Sequence, residues 1–330
     1  MTGDKRIYLI GLSLIKGVGD VLSRHLLEYF GDAEAVFSEK RQLLEKVPGI
    51  GEYTAGKITG SRADALARAE KELAFVDKNK IRLYSILEND YPTRLRECQD
   101  APVVFYYKGK ADLNAPRILS IVGTRSATDY GRELTASLTN GLAGIFPDLL
   151  IISGLAYGID VCAHRGALKN GLPTVGVLAH GLDRLYPAAH RNTAAEMLKQ
   201  GGLLTDFPSE TNPDRENFLR RNRLVAGLSD ATIVIESAEK GGSLVTADIA
   251  FSYGRDVYTF PGRVYDEHSK GCNRLIQMNK AGLISSAQDL ISSLCWDTES
   301  RKNVPKQEKL PFLEKPDHPV IAFLSERGEV

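Results

Sequence analysis

Residues 118–125 read Ile-Leu-Ser-Ile-Val-Gly-Thr-Arg, an apolar run of strand length that ends on a glycine. The run lacks a polar alternation, so it predicts a strand covered on both faces, as in a parallel sheet with helices on either side. Outward from it the same unit recurs: Leu149–Ile152, Thr174–Leu178, Leu203–Phe207, Ala231–Ile235 and Val257–Phe260 are further short apolar runs. Amphipathic stretches of helix length fall between them, at Tyr130–Ala143, Gly158–Leu168, Arg191–Lys199, Phe218–Gly227, Leu244–Tyr253 and Asn273–Lys280. Strand and helix in alternation predict an α/β fold, an extended Rossmann-like, doubly wound parallel sheet. Ligands of such sheets sit beyond the carboxyl ends of the strands, so the loops after each run are the place to look for chemistry.

The chain has 330 residues, room for about two domains at roughly 150 residues each. Apolar residues at 43% and charged residues at 25% exclude disorder as the overall state. Lys+Arg and Asp+Glu are both 42, which excludes a histone-like polycation; nucleic-acid contact requires a local basic patch. Cys98, Cys162, Cys272 and Cys295 have no metal-ligand spacing and read as reduced thiols. With no apolar run near the ~18–20 residues of a membrane span and no signal peptide, a cytoplasmic protein is expected, without membrane contact.

Near the N-terminus Gly17-Val18-Gly19 is followed by Ser23, and Gly49-Ile50-Gly51 by Ala55, an offset of 32 residues. Both segments suit a tight turn between two helices and resemble a tandem helix-hairpin-helix. Such a turn frees N–H groups for a phosphate oxygen, or it simply packs two helices. Residues 1–70 carry ten Lys/Arg and ten Asp/Glu, so no basic excess decides between the two. The expected organisation is an all-helical, SAM-like domain over 1–75 and the sheet domain over 76–296. Within 71–110, a joining region, a helix over Ala63–Asp77 ends and short strands are expected at Tyr84–Leu87 and Val103–Tyr107. Residues 297–316 read as a charged, proline-containing linker, and 317–330 as the truncated start of a winged-helix-like segment.

Three post-strand loops carry distinctive residues. Gly123-Thr124-Arg125 pairs a small residue with a possible bidentate phosphate donor, and Ser153-Gly154 opens the second loop. Residues 215–223 hold four arginines, including Arg220, Arg221 and Arg223, against the single acid Glu216. Asn217, Phe218 and Asn222 add amide and stacking chemistry among them, which suits a single strand; a solvated basic helix with a buried Phe is the alternative. Lys240-Gly241-Gly242-Ser243 is a Gly-Gly-Ser turn at a helix start, a good anion cradle. G-x-G-x-x-G is absent after Val122, which weakens an NAD reading without excluding other nucleotides, and the P-loop order is absent at Lys240, so ATP hydrolysis has no support. His164 reads as structural, and His180 and His190 lack a third ligand beside Asp183. No catalytic set, metal site or cofactor is predicted.

Gly123-Thr124-Arg125, Ser153–Asp160, Ala163–Leu168, Asn217-Phe218 with Arg221-Asn222-Arg223, Gly242-Ser243-Leu244 and Gly254–Val257 occur in an order that resembles the DNA processing protein A (Smf) family. The resemblance spans about residues 80–290. It implies a non-enzymatic binder of single-stranded DNA that protects incoming strands and loads the RecA recombinase in natural transformation. A homodimer that competes with single-strand-binding protein is implied as well. By the same resemblance Arg125 and Arg191 meet phosphate, Arg221 and Arg223 line the groove with Asn217 and Asn222, Phe218 meets a base, and the Gly241–Ser243 turn cradles a further phosphate. Leu219, Ala179-His180 and Asp206 depart from the family pattern. The other class weighed is a Rossmann-like phosphoribohydrolase acting on nucleotides; it needs a catalytic Glu after its glycine turn, where this chain has Asp248.

Overall fold

The computed structural model describes residues 4–296, so the segments 297–316 and 317–330 lie outside the described residues. The chain opens with helices α1 (Arg6–Leu14), α2 (Asp20–Phe30), α3 (Ala33–Ser38), α4 (Arg41–Leu44) and α5 (Glu52–Lys78). The 32-residue sequence repeat is a structural repeat. Gly17 and Gly49 have φ of +86° and +84°, where a side chain would be strained. Gly19 and Gly51 then cap α2 and α5 with nearly equal angles, φ −81° and −89°, ψ 176° and 179°. Val18 and Ile50, between the glycines, are buried. Helix α5 starts eleven residues before the expected Ala63. Gly56 and Gly60, poor helix formers, hide its first half from propensity, and packing against α1 sustains it.

The sheet follows: β1 (Arg82–Ser85), α6 (Thr93–Arg96), β2 (Val104–Gly109), β3 (Ile118–Val122), α7 (Asp129–Ala143), β4 (Leu150–Ser153), α8 (Ile159–Lys169) and β5 (Thr174–Val177). Then come α9 (Arg191–Gln200), β6 (Gly202–Thr205), α10 (Arg215–Gly227), β7 (Ala231–Val234), α11 (Gly242–Ser252), β8 (Asp256–Thr259), α12 (Lys270–Gln277), β9 (Gly282–Leu283) and α13 (Ala287–Ser293). The strand order is β1-β2-β6-β5-β4-β3-β7-β8-β9. All pairs from β6 to β9 are parallel, as the unbroken apolar runs require. The joining region is part of the sheet: β1 and β2 add to it antiparallel beyond β6. Its aromatics explain this, for Tyr84 and Phe105 stack at 4.8 Å and Tyr91 closes edge-on to Phe105 at 5.4 Å.

Residues up to Ala287 form one compact unit, and one apolar core runs through helices and sheet alike, from Leu12, Leu26 and Val47 to Ile118, Ile152 and Val175. Polar anchors reinforce it. The carboxylate of Glu72 on α5, 1% exposed, accepts from the Ser209 amide at 2.9 and 3.0 Å and from its hydroxyl at 2.5 Å. Removing a partner from so buried a charge is expensive.

Candidate nucleic-acid interface

Strand order reverses at β3, whose chain leaves toward β4 on one side while β7 pairs on the other. A cavity of about 250 Å³ opens at that switch point, walled by the loops after β3, β4 and β7 and by the start of α10. It brings together Gly123, Arg125, Gly154, the Phe218-Arg221-Asn222 face of α10 and the Lys240–Ser243 turn. Positions 218, 221 and 222 share one helix face by the i, i+3, i+4 rule.

The exposed Arg125 guanidinium lies 5.1 Å over the half-buried Phe218 ring. Across the cavity Gly241 caps α11 with no side-chain hydrogen bond, so no side chain claims the amides of the first turn. The Ser243 hydroxyl donates to Ser237 Oγ at 2.9 Å and the Ser237 hydroxyl to the Ala238 carbonyl at 3.0 Å. That chain holds the turn closed and leaves its amides, rather than the serine hydroxyl, for an anion. Lys240 stands exposed at the rim. Asn222 Oδ1 accepts from Arg221 Nε at 3.2 Å, which leaves the Asn222 NH2 for a ligand.

Arg221 itself is 4% exposed and bridges strand ends: its Nη1 donates to the Gly154 carbonyl at 2.6 Å and to the Val177 carbonyl. A Cβ on Gly154 would strike this guanidinium, so that glycine makes room for Arg221. Burial pushes the Arg221 pKa down to about 10, opposed by buried Asp160, and it stays charged at neutral pH. Asp160 is in turn raised by burial, with Arg221 opposing. Three cations, Arg125, Arg221 and Lys240, face this one carboxylate in the cavity wall.

Five predicted residues lie elsewhere. Ser153 is buried and donates to the Ile121 carbonyl at 2.6 Å, closing β4 onto β3. Asn217 Nδ2 donates to the Asn212 carbonyl at 2.9 Å, fixing the entry to α10. Arg191 is exposed at the start of α9. Arg220 lies over Phe207 at 5.3 Å, in a groove shared with the Lys16–Asp20 turn. Arg223, expected in the groove beside Arg221, points the other way, because two residues along a helix turn about 200°. It is bound to Asp20 at 2.8 Å and to Asp206 at 2.5 Å. Burial works against the Arg223 charge, but Asp206 and Asp20 outweigh it and raise its pKa. This arginine fastens the first helical hairpin to the sheet.

Two aromatics escaped the sequence reasoning. Tyr186, half exposed, sits 6.0 Å from Phe218, and Tyr157, half exposed, meets His190 edge-on at 4.9 Å. The available signal was an aromatic in each of two post-strand loops. Asp248, where the hydrolase class needs its glutamate, is outside the cavity and paired with Lys280 at 2.6 Å. Glu236 is buried and committed to capping α7, accepting from Thr128 N at 3.0 Å and Thr128 Oγ1 at 2.5 Å.

His164, His180 and His190 are engaged in structural contacts. His180 uses Nδ1 toward the Gly181 carbonyl and Nε2 toward the Tyr186 amide, and His190 Nδ1 meets the Leu155 carbonyl. His164 is fully buried against Thr174 Oγ1 at 2.6 Å, and burial drives its pKa down to about 3. The unfolded chain therefore takes up this proton first. Stability is fully present above about pH 6.5 and falls as pH drops toward 3, with a slope approaching about 1.4 kcal/mol per pH unit from this one residue. Urea unfolding at pH 7 and pH 5 is expected to show the loss, and His164→Leu to flatten it. Among the described residues no cluster of three or more His, Cys, Asp or Glu could hold a metal, and no helix is long and apolar enough to cross a membrane.

A family model described as DNA recombination-mediator protein A matches residues 82–295, and one described as a SAM-like helix-hairpin-helix tandem matches 9–70. Protein Smf of Synechocystis is 32% identical over 97% of this chain and 82% of its own length. The X-ray structure of DNA processing protein A from Streptococcus pneumoniae is 33% identical and superposes with a TM-score of 0.73, covering 87% of this chain and 96% of that one. DNA processing protein A from Helicobacter pylori, solved for its single-stranded DNA binding mode, is 30% identical with a TM-score of 0.59, over 66% of this chain and 97% of that one. The family match covers the strands and loops that build the cavity, and the hairpin match covers both glycine turns: the chain belongs to the DNA recombination-mediator protein A family, that of the DNA processing protein A and Smf proteins.

Proposed function

We propose that this protein binds single-stranded DNA, without catalysis, in the cavity at the β3–β7 switch point. Phosphates are held by Arg125, Lys240 and the amides of the Gly241–Ser243 turn, and a base lies against Phe218 and Tyr186. The supporting observation is that the free Arg125 guanidinium stands over an accessible aromatic ring opposite an uncapped helix start. That set suits a strand with unpaired bases, because the bases of a duplex offer no free face to Phe218. The single-strand binding named for the Helicobacter pylori relative supports the same choice.

In this reading the protein works in the cytoplasm as a homodimer, competes with single-strand-binding protein, and passes the strand to the RecA recombinase during DNA uptake. The recombination-mediator description of the family supports that step. Arg191 and Arg220, both exposed outside the cavity, extend the basic path beyond it. Three phosphate contacts predict a log–log salt slope of about −2 for oligothymidylate binding, at roughly −0.7 per phosphate. A fluorescence-anisotropy salt series measures it, and a slope near zero would sink the phosphate cradle. Incubation with nucleoside monophosphates is expected to release no base.

A further inference from the structure

Outside the cradle, on the same carboxyl edge of the sheet, lies a second hollow of about 990 Å³ lined by Tyr130, Pro261, Gly262, Arg263, Tyr265 and Asp266. Its aromatics are accessible: Tyr265 is 93% exposed and Tyr130 48%. An aromatic so exposed loses apolar contact unless something stacks on it. The loop that holds Tyr265 is nonetheless braced at both ends. The Asp266 carboxylate accepts from the His268 amide at 3.1 Å and the Ser269 hydroxyl at 3.0 Å, and Asn273 clasps Gly262 through two hydrogen bonds. Glu267 is paired with Lys270, whereas the exposed Arg263 guanidinium has no partner among the described residues.

Both aromatic-bearing segments are fastened to one dipeptide at the end of β7. Glu236 holds the Thr128 cap of the helix that carries Tyr130. Ser237, in the cradle wall, donates its amide to the His268 carbonyl at 2.8 Å and accepts from the Gly271 amide at 2.9 Å. The segments that line the hollow are therefore anchored at the wall of the cradle, although no described residue lines both. We propose that the Tyr130–Arg263–Tyr265 hollow is a base-stacking platform for the nucleotides that leave the cradle on the β8 side. The inference rests on the cradle binding a single strand. Exposed tyrosines around an unpaired arginine suit bases of any sequence, through stacking and cation–π contact. A loop held at Gly262 and Asp266 lowers the backbone ordering cost of presenting them.

The test compares labelled oligothymidylates of about 4 and about 20 nucleotides, the short one filling only the cradle, given site sizes of roughly 4–16 nucleotides for single-strand grooves. The Arg263→Ala/Tyr265→Ala double variant is expected to bind the long strand about tenfold more weakly, a stacking-sized loss, and the short strand as before. Tyr265→Trp is expected to keep the long-strand affinity, with its indole emission quenched by the long strand alone. Equal losses on both lengths, or no loss on the long one, would overturn the platform. If Arg125→Ala weakens both lengths while the double variant weakens neither, the platform fails and the cradle stands. If the unaltered protein binds neither length, both fail.

Discussion

Arg221→Ala is expected to destabilise the protein by about 3–5 kcal/mol, the usual cost of leaving a buried charge without its partner. The guanidinium ties the carbonyls of Gly154 and Val177, at the ends of neighbouring strands, and offsets the buried Asp160 carboxylate. Its loss strands all three groups at once. At roughly 2–4 °C per kcal/mol the melting temperature falls by about 10 °C. Arg221→Lys is expected to fall between, since an ammonium can donate to the two carbonyls that Nη1 serves but loses the Nε donor to Asn222 Oδ1. Calorimetry measures the effect. A variant with unchanged melting temperature and lost DNA affinity would show that Arg221 serves the ligand and not the scaffold.

The second large effect is the converse. Arg125 is exposed and Phe218 half-buried, so replacing both with alanine costs little stability. Single-strand affinity, however, is expected to fall by about 2–4 kcal/mol, roughly 30- to 1000-fold, from one charge-assisted phosphate contact and one stacked base. The two groups touch, so the single variants are not expected to sum to the double. Arg125→Ala alone should shrink the salt slope by about 0.7, whereas Phe218→Ala should leave it unchanged. Binding isotherms at several salt concentrations separate these outcomes, and a Phe218→Ala variant with full affinity would remove the stacking part of the account.

Much of the sheet was legible because each parallel strand is a short apolar run bounded by a glycine or a helical stretch. The two antiparallel strands were legible as strands but not as members of this sheet, since β2 pairs with β6 about a hundred residues later. The two-residue β9 is too short to leave a pattern. The glycine repeat was readable because a positive φ at Gly17 and Gly49 demands that residue type. Within the arginine segment, sequence marked the charge and could not assign it. Arg221 and Arg223 are consumed by groups far along the chain, Asp20 being 203 residues from Arg223. Helical spacing from Phe218 separates the cavity face of α10 from the rest, and it was available before the fold was. An aromatic in the Tyr186 loop was readable, whereas its approach to Phe218 and the exposure of Tyr265 belong to tertiary structure.

The course of the bound strand is read by photocross-linking an iodouracil-substituted single strand and mapping the adducts by mass spectrometry. The account predicts adducts at Phe218 and Tyr186, lost when unlabelled single strand competes and retained when duplex does. Adducts confined to the helical turns at 16–20 and 48–52, with none on α10, would contradict it.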